Sequence, residues 1–377
     1  MRKILKRLST FVMGLSLLAP IGSGLAHAEE ASSAGEGRAG TFTVDFDLSH
    51  HEGEEVRLWI PYAQSDDFQE ISNIEVTFDE ENAKSEITED DKGNQILYVE
   101  WSPEATDRTL TYSFDVERQE VVRPDFKEEE DFDPAEFDEF LQGNSLMPID
   151  GEVKETAENI VEGKTTIKDK AQAIYDWIYD NMERDNDVVG CGLGDVKNLL
   201  VDLDGKCTDI HSVFIALARS VGIPARETFG VRLSKDPEAD VTTAQHCWAE
   251  YYQPGTGWVA IDIADVLKAV LNDELDKDSE EALALKDYYW GNLDPIRVGF
   301  STGRELMLVP EQEAGPINNF GYPYAEVDGK AIDFYKPEEF IYSIQFTEAD
   351  ANSNEAAEEE TSSADDSETT IEETSAE

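Results

Sequence analysis

Cysteine is scarce in this chain: three occur among 377 residues, at positions 191, 207 and 247. So few thiols exclude a disulfide-built scaffold, and an odd number leaves at least one unpaired in an oxidising compartment. Basic residues are also few, 30 Lys and Arg against 84 Asp and Glu, for a formal net charge of −54. A surface of that sign repels phosphate backbones and excludes nucleic acid as a partner. It suits concentrated salt, where repulsion between like charges is screened. Long apolar runs are missing beyond the N-terminus, so no membrane insertion is expected after signal cleavage. Metal-binding spacings are missing as well. Asp202-Leu203-Asp204-Gly205 lacks the spacing of a calcium loop. Cys207, His211, His246 and Cys247 hold suitable atoms without the close pairs of a structural zinc site. No cofactor and no metal ion is expected. Gly190-Cys191-Gly192-Leu193-Gly194 lacks the lysine and the following helix of a phosphate loop, and reads as a tight turn.

What is present begins with a targeting pattern. Arg2, Lys3, Lys6 and Arg7 precede a short apolar core from Phe11 to Leu18, and Ala26-His27-Ala28 is a small-x-small cleavage site before Glu29. Residues 1–28 are therefore read as a signal peptide, and the mature chain as secreted or periplasmic. Residues 29–40 are small and polar, a flexible leader. Apolar residues make up 40% of the chain, with 17 Phe, 13 Tyr and 6 Trp, enough for a packed core despite the charge.

Alternating runs at Phe42–Phe46, Val56–Ile60, Ile74–Phe78, Ile96–Trp101 and Leu110–Val116 predict short strands, and residues 41–120 read as a small β-sandwich. Residues 121–150 form an acidic linker whose phenylalanines are expected to lie on a neighbouring domain. Helical periodicity follows, with Ala171, Ile174, Tyr175, Ile178 and Met182 on one face and Ile210, Val213, Phe214, Leu217 and Ala218 on another. Gly222 and Pro224 end the second helix. His246–Tyr252 and Gly257–Asp262 read as a hairpin about a Pro254-Gly255 turn, and an acidic helical insertion runs on to Tyr289. Strand-like pieces lie near Leu306–Val309 and Phe340–Phe346. Residues 151–346 are taken as one catalytic domain with a C-terminal extension. Residues 347–377, polar and acid-rich, are taken as a disordered tail.

One constellation carries chemistry. Cys207 follows Lys206 at a helix start, where unpaired N–H groups and the peptide dipoles favour a thiolate. His246 lies 39 residues later on the hairpin, placed to take the thiol proton and return it to a leaving group. Asp262 closes the hairpin and would fix the imidazole tautomer. The Cys207 N–H is the expected oxyanion donor, with no second donor evident. Taken singly, each residue is more often a small hydrophobe, a satisfied strand histidine or a turn aspartate. His211 sits one helical turn after Cys207 and reads as a packing residue. Cys191 and Cys247 are left over from the constellation, and sequence does not fix whether they form a disulfide.

The residues Gly205-Lys206-Cys207-Thr208-Asp209, Ala218 to Arg226, His246-Cys247-Trp248-Ala249-Glu250 and Gly257-Trp258-Val259-x-x-Asp262 together resemble the transglutaminase-like superfamily. Tyr289–Asp294 and Phe300–Arg304 are similar to the extension of its exported bacterial members, and Trp59-Ile60-Pro61 to their leading domain. The resemblance implies an α+β fold, a papain-like/transglutaminase-like core preceded by a small β-sandwich, with a catalytic triad of Cys207, His246 and Asp262. Ile263 stands where many members carry proline. The implied activity is that of an exported cysteine acyl-transfer enzyme acting on peptide or isopeptide amide bonds of a peptide or protein substrate. Hydrolysis is favoured over crosslinking because no amine-binding site is evident. The alternative is a non-catalytic envelope-binding module on the same fold.

Overall fold

A computed structural model describes residues 9–12, 37–127 and 131–349. The rest of the signal segment, residues 29–36 of the leader and residues 350–377 of the tail lie outside the described residues.

The fold is α+β, a helix-and-sheet core with a β-rich region before it. That region is two antiparallel sheets packed face to face. One carries Arg38–Asp47, Gln69–Phe78 and Thr109–Arg118. The other carries Val56–Pro61, Ala83–Glu89 and Gln95–Trp101. Alternation sets the inner face: Phe42, Val44 and Phe46 are buried while Thr41 and Asp45 point outward. The facing sheet contributes Val56, Leu58 and Val99 to the same cluster. Ala83–Glu89 was not legible as a strand. Its Lys84, Ser85 and Glu86 are exposed and polar, a composition that protects a sheet edge from further pairing.

Late segments complete both sheets. Ile341–Glu348 pairs with Arg38–Asp47 along eight positions and with Glu238–Asp240 on its other side. Tyr324–Val327 pairs with Val56–Pro61. Leu306, expected in a strand, makes only an isolated bridge to Ile317. Within the signal segment, Ser9–Val12 pairs at the edge of Gln69–Phe78, as β-prone residues do beside an open strand edge.

The core is a four-stranded antiparallel sheet in the order Gly257–Ile261, Gln245–Gln253, Ala225–Arg232, Arg297–Thr302. The helix Cys207–Ser220 packs on it and is buried along nearly its whole length, from Cys207 to Ala218. Ile167–Asn181 packs behind, burying Ala171, Ile174, Tyr175 and Ile178. Of the linker phenylalanines, Phe126 and Phe132 pack on this core, and Phe137 and Phe140 lie against Tyr252 and Trp258.

Candidate active site

Lys206 is extended and Cys207 is the first helical residue, so its N–H has no intrahelical acceptor. Asp209, two residues on, accepts from the Lys206 N–H at 3.0 Å and from the Gly194 N–H at 2.8 Å. These bonds tie the helix start to the glycine-rich turn, and Thr208 N–H adds a bond to the Cys191 carbonyl at 2.9 Å. The turn needs its glycines. Gly192 has φ +93°, and a Cβ there would lie 1.9 Å from the Asp209 carboxylate.

The hairpin brings His246 and Asp262 together. Ala249 pairs with Ile261, the three-residue loop 254–256 closes the end, and Asp262 leaves the strand as N-cap of the helix Ile263–Asn272. His246 Nε2 donates to Asp262 Oδ2 at 2.6 Å, which leaves Nδ1 as the free ring nitrogen. Asp262 Oδ1 accepts from the Asp265 N–H at 3.0 Å, so one carboxylate caps a helix and holds the imidazole. Ile263 stands at the first helical position, where proline is tolerated because its missing N–H would have no partner.

Cys207 is 3% exposed, yet a cleft of about 790 Å³ reaches it, lined also by Cys191, Gln245, His246, Tyr322 and Tyr335. Hydrogen bonds with the Cys191 and Cys247 thiols, then the His246 imidazole and its charge, hold the Cys207 thiol well below the ordinary thiol range against the effect of burial. Burial and the Arg232 charge press His246 down, but Asp262 and Asp265 outweigh them and its pKa ends raised. Asp262 is pushed up by burial, and the charges of His246 and Arg297 more than reverse this, leaving it well below the carboxylate range. These directions favour a thiolate beside an imidazolium.

Arg297 and Asp265 were not legible in the sequence as neighbours of Asp262, whereas Arg232 is expected to pair with a carboxylate and does. Arg297 is 0% exposed and binds Asp262 through Nη1, and Asp265 and Asp294 at 2.8 Å each through Nη2. Arg232 pairs with Asp265. Three carboxylates thus face two guanidiniums and an imidazolium, a neutral buried set. Asp294, three residues before Arg297, is the local signal for this. His211 is more than a packing residue: Nε2 lies 3.4 Å from Asp262 Oδ1 and Nδ1 lies 3.6 Å from Cys247 Sγ. All three cysteines are free and buried, so Cys191 and Cys247 form no disulfide. Cys191 Sγ accepts from Tyr322 and contacts the Gln245 carbonyl, each at 3.2 Å. His246, Asp262 and Asp265 bring ligand-type atoms within 4.8 Å of one another, but the guanidiniums already there would repel a divalent cation.

Residues 154–263 match the transglutaminase-like superfamily, a span that contains all three site residues. A Haemophilus influenzae protein described as uncharacterized is 37% identical over 333 residues, covering 80% of this chain and 89% of that one. The chain belongs to the transglutaminase-like superfamily. Among solved structures, one from Cytophaga hutchinsonii, titled as a candidate cysteine protease, has a TM-score of 0.49 at 17% identity, covering 84% of this chain and 99% of that one. The periplasmic domain of TgpA from Pseudomonas aeruginosa has a TM-score of 0.34 at 14% identity, covering 63% and 96%. This superfamily member has no helix long and apolar enough to cross a membrane among its described residues.

Proposed function

We propose that this protein is an exported cysteine acyl-transfer enzyme that acts on peptide or isopeptide amide bonds through a thioester on Cys207. The carrying observation is the pairing of a helix-start thiol reached by a cleft with an imidazole whose Nε2 is held 2.6 Å from a buried carboxylate. The Cys207 thiolate attacks the amide carbon, and the carbonyl oxygen takes negative charge beside the unpaired Cys207 N–H. His246 then gives its Nδ1 proton to the departing amine nitrogen. The C–N bond breaks and a C–S bond remains. Water enters, His246 takes one of its protons, the hydroxyl adds to the thioester carbon, and the thiolate leaves with release of a carboxylic acid. An amine in place of water would give a new amide. Hydrolysis is the favoured outcome, because the cleft offers no carboxylate but Asp240 to receive an ammonium group. Export follows from the targeting pattern of residues 1–28, and a protein substrate from the superfamily.

Peptide cleavage and fluorescent-amine incorporation, run side by side on the full chain and on Cys207→Ala, test this reading. Both activities should vanish in the variant. Activity that survives without the sulfur would overturn it.

A further inference from the structure

The cleft above Cys207 has the opposite charge balance to the rest of the molecule. Arg184, Lys206, Arg232, Lys235 and Lys268 line it, against the single carboxylate of Asp240. Over the whole chain the ratio runs the other way, 84 acids to 30 bases. Arg232 is paired with Asp265 beneath the floor. The other four form no ion pair among the described residues. Arg184 Nε is occupied only by the neutral amide of Asn186 at 3.1 Å. Lys268 lies near two of the others: burial and the charge of Arg232 depress it, Asp265 opposes them, and Arg184 adds to the depression. Arg184 also lowers the Cys191 thiol, although that thiol ends raised overall. Arg184, Lys206 and Lys268 are half-buried and Lys235 is exposed; unpaired like charges gathered in one cleft repel one another, and an anion placed among them relieves that repulsion.

Building on the proposed acyl-transfer role of this cleft, we infer that it selects acidic peptide segments, placing carboxylates of the substrate on Arg184, Lys206, Lys235 and Lys268 around the amide presented to Cys207. An extended peptide fits better than a small anion. The cleft holds about 790 Å³ and has Tyr322, Phe334, Tyr335 and Tyr342 along its wall, apolar surface that a free phosphate cannot use. The acidic body of the protein opposes approach from afar. At about 0.15 M salt the screening length is roughly 8 Å, so the local cations outweigh the distant carboxylates once a peptide has entered.

Fluorescence anisotropy on full-length Cys207→Ala protein, which binds without turnover, provides the test. The probes are a labelled glutamate-rich peptide, the same peptide with glutamine at each glutamate, and the same with lysine. Four partly screened ion pairs give the glutamate peptide about tenfold tighter binding than the glutamine peptide, and the lysine peptide binds weakest. Lys235→Ala and Lys206→Gln each reduce the glutamate-to-glutamine ratio on the order of twofold. Lys235 is exposed, so its loss leaves folding intact. The stretch from Glu348 to Glu377 holds 12 acids and no base. Any occupancy of the cleft by it weakens every peptide by the same factor and leaves the ratio unchanged. Equal binding of the glutamate and glutamine peptides, or a ratio untouched by both substitutions, overturns the inference. Iodoacetamide labelling of the unmodified chain is the separate reading of the thiol. A sluggish Cys207 with acid preference intact refutes the acyl-transfer proposal alone, and a fast Cys207 without preference refutes this one alone.

Discussion

Asp262→Asn removes one charge and almost no volume from a fully buried position. The side-chain oxygen can still cap Ile263–Asn272 by accepting from the Asp265 N–H. What disappears is the negative charge beside His246 and Arg297. Breaking a buried pair typically costs ~3–5 kcal/mol. Arg297 keeps Asp265 and Asp294, so a loss of about 2 kcal/mol is expected, and the variant folds. The larger effect falls on protonation. His246 is raised only because Asp262 and Asp265 outweigh burial and Arg232; without Asp262 its pKa falls below about 6.5. The Cys207 thiol then loses the support of the imidazolium but keeps its hydrogen bonds with Cys191 and Cys247, so its pKa moves up part of the way. The thiolate fraction falls on the acid side of neutrality, and alkylation by iodoacetamide slows there, in part offset by the greater nucleophilicity of a more basic sulfur. Turnover falls further, on the order of 10³–10⁴-fold, because the imidazole also loses its tautomer lock. The assay is the alkylation rate of Cys207 followed by mass spectrometry across pH. In the parent the rate rises at low pH as the thiol ionises; in the variant that rise moves to higher pH. A superimposable profile would refute the argument that Asp262 sustains the ion pair.

Two further substitutions probe the surrounding groups. Arg297→Met removes the guanidinium shared by Asp262, Asp265 and Asp294, leaving His246 on the first and Arg232 on the second, and should cost ~3–5 kcal/mol, read as a large fall in Tm. The same change acts on acid stability: the folded pKa of Asp262 is depressed, so its contribution holds above about pH 4 and is lost as pH falls through the folded value. Without Arg297 that folded value rises, and acid unfolding followed by circular dichroism should begin at higher pH. Cys191→Ala deletes a thiol that helps hold the Cys207 pKa down, so the onset of Cys207 alkylation should move to higher pH while Tm changes little; an unmoved onset removes Cys191 from the site.

The residues that could be read from sequence are those placed by local signals. A helix that begins at Cys207 and stops at Gly222 and Pro224 needs only its own periodicity and breakers. His246 and Asp262 are neighbours because a short turn folds one hairpin, whose ladder pairs Ala249 with Ile261. The illegible parts come from afar. Arg297 reaches Asp262 from a strand 35 residues later, and an arginine in so acidic a chain looks like any solvated cation. Ala83–Glu89 hides as a strand because its edge position demands polar side chains. The pairing of Ile341–Glu348 with Arg38–Asp47 joins residues almost 300 apart, which no local pattern encodes. Cys191 reaches the Cys207 sulfur only through the conformation of a glycine turn.

The place of Ile341–Glu348 also fixes when the molecule can become competent. It is the last strand in chain order among the described residues, yet it lies inside its sheet, between Arg38–Asp47 and Glu238–Asp240. Phe340 and Tyr342 form part of the cleft wall, and the Val241 N–H bonds the Ile344 carbonyl at 2.8 Å. A nascent chain that has already folded its thiol helix and its histidine hairpin therefore still has a gap in the sheet and an unwalled cleft. The cleft around the Cys207 sulfur is walled only once residues 340–348 have been delivered, long after the helix and hairpin that carry Cys207 and His246.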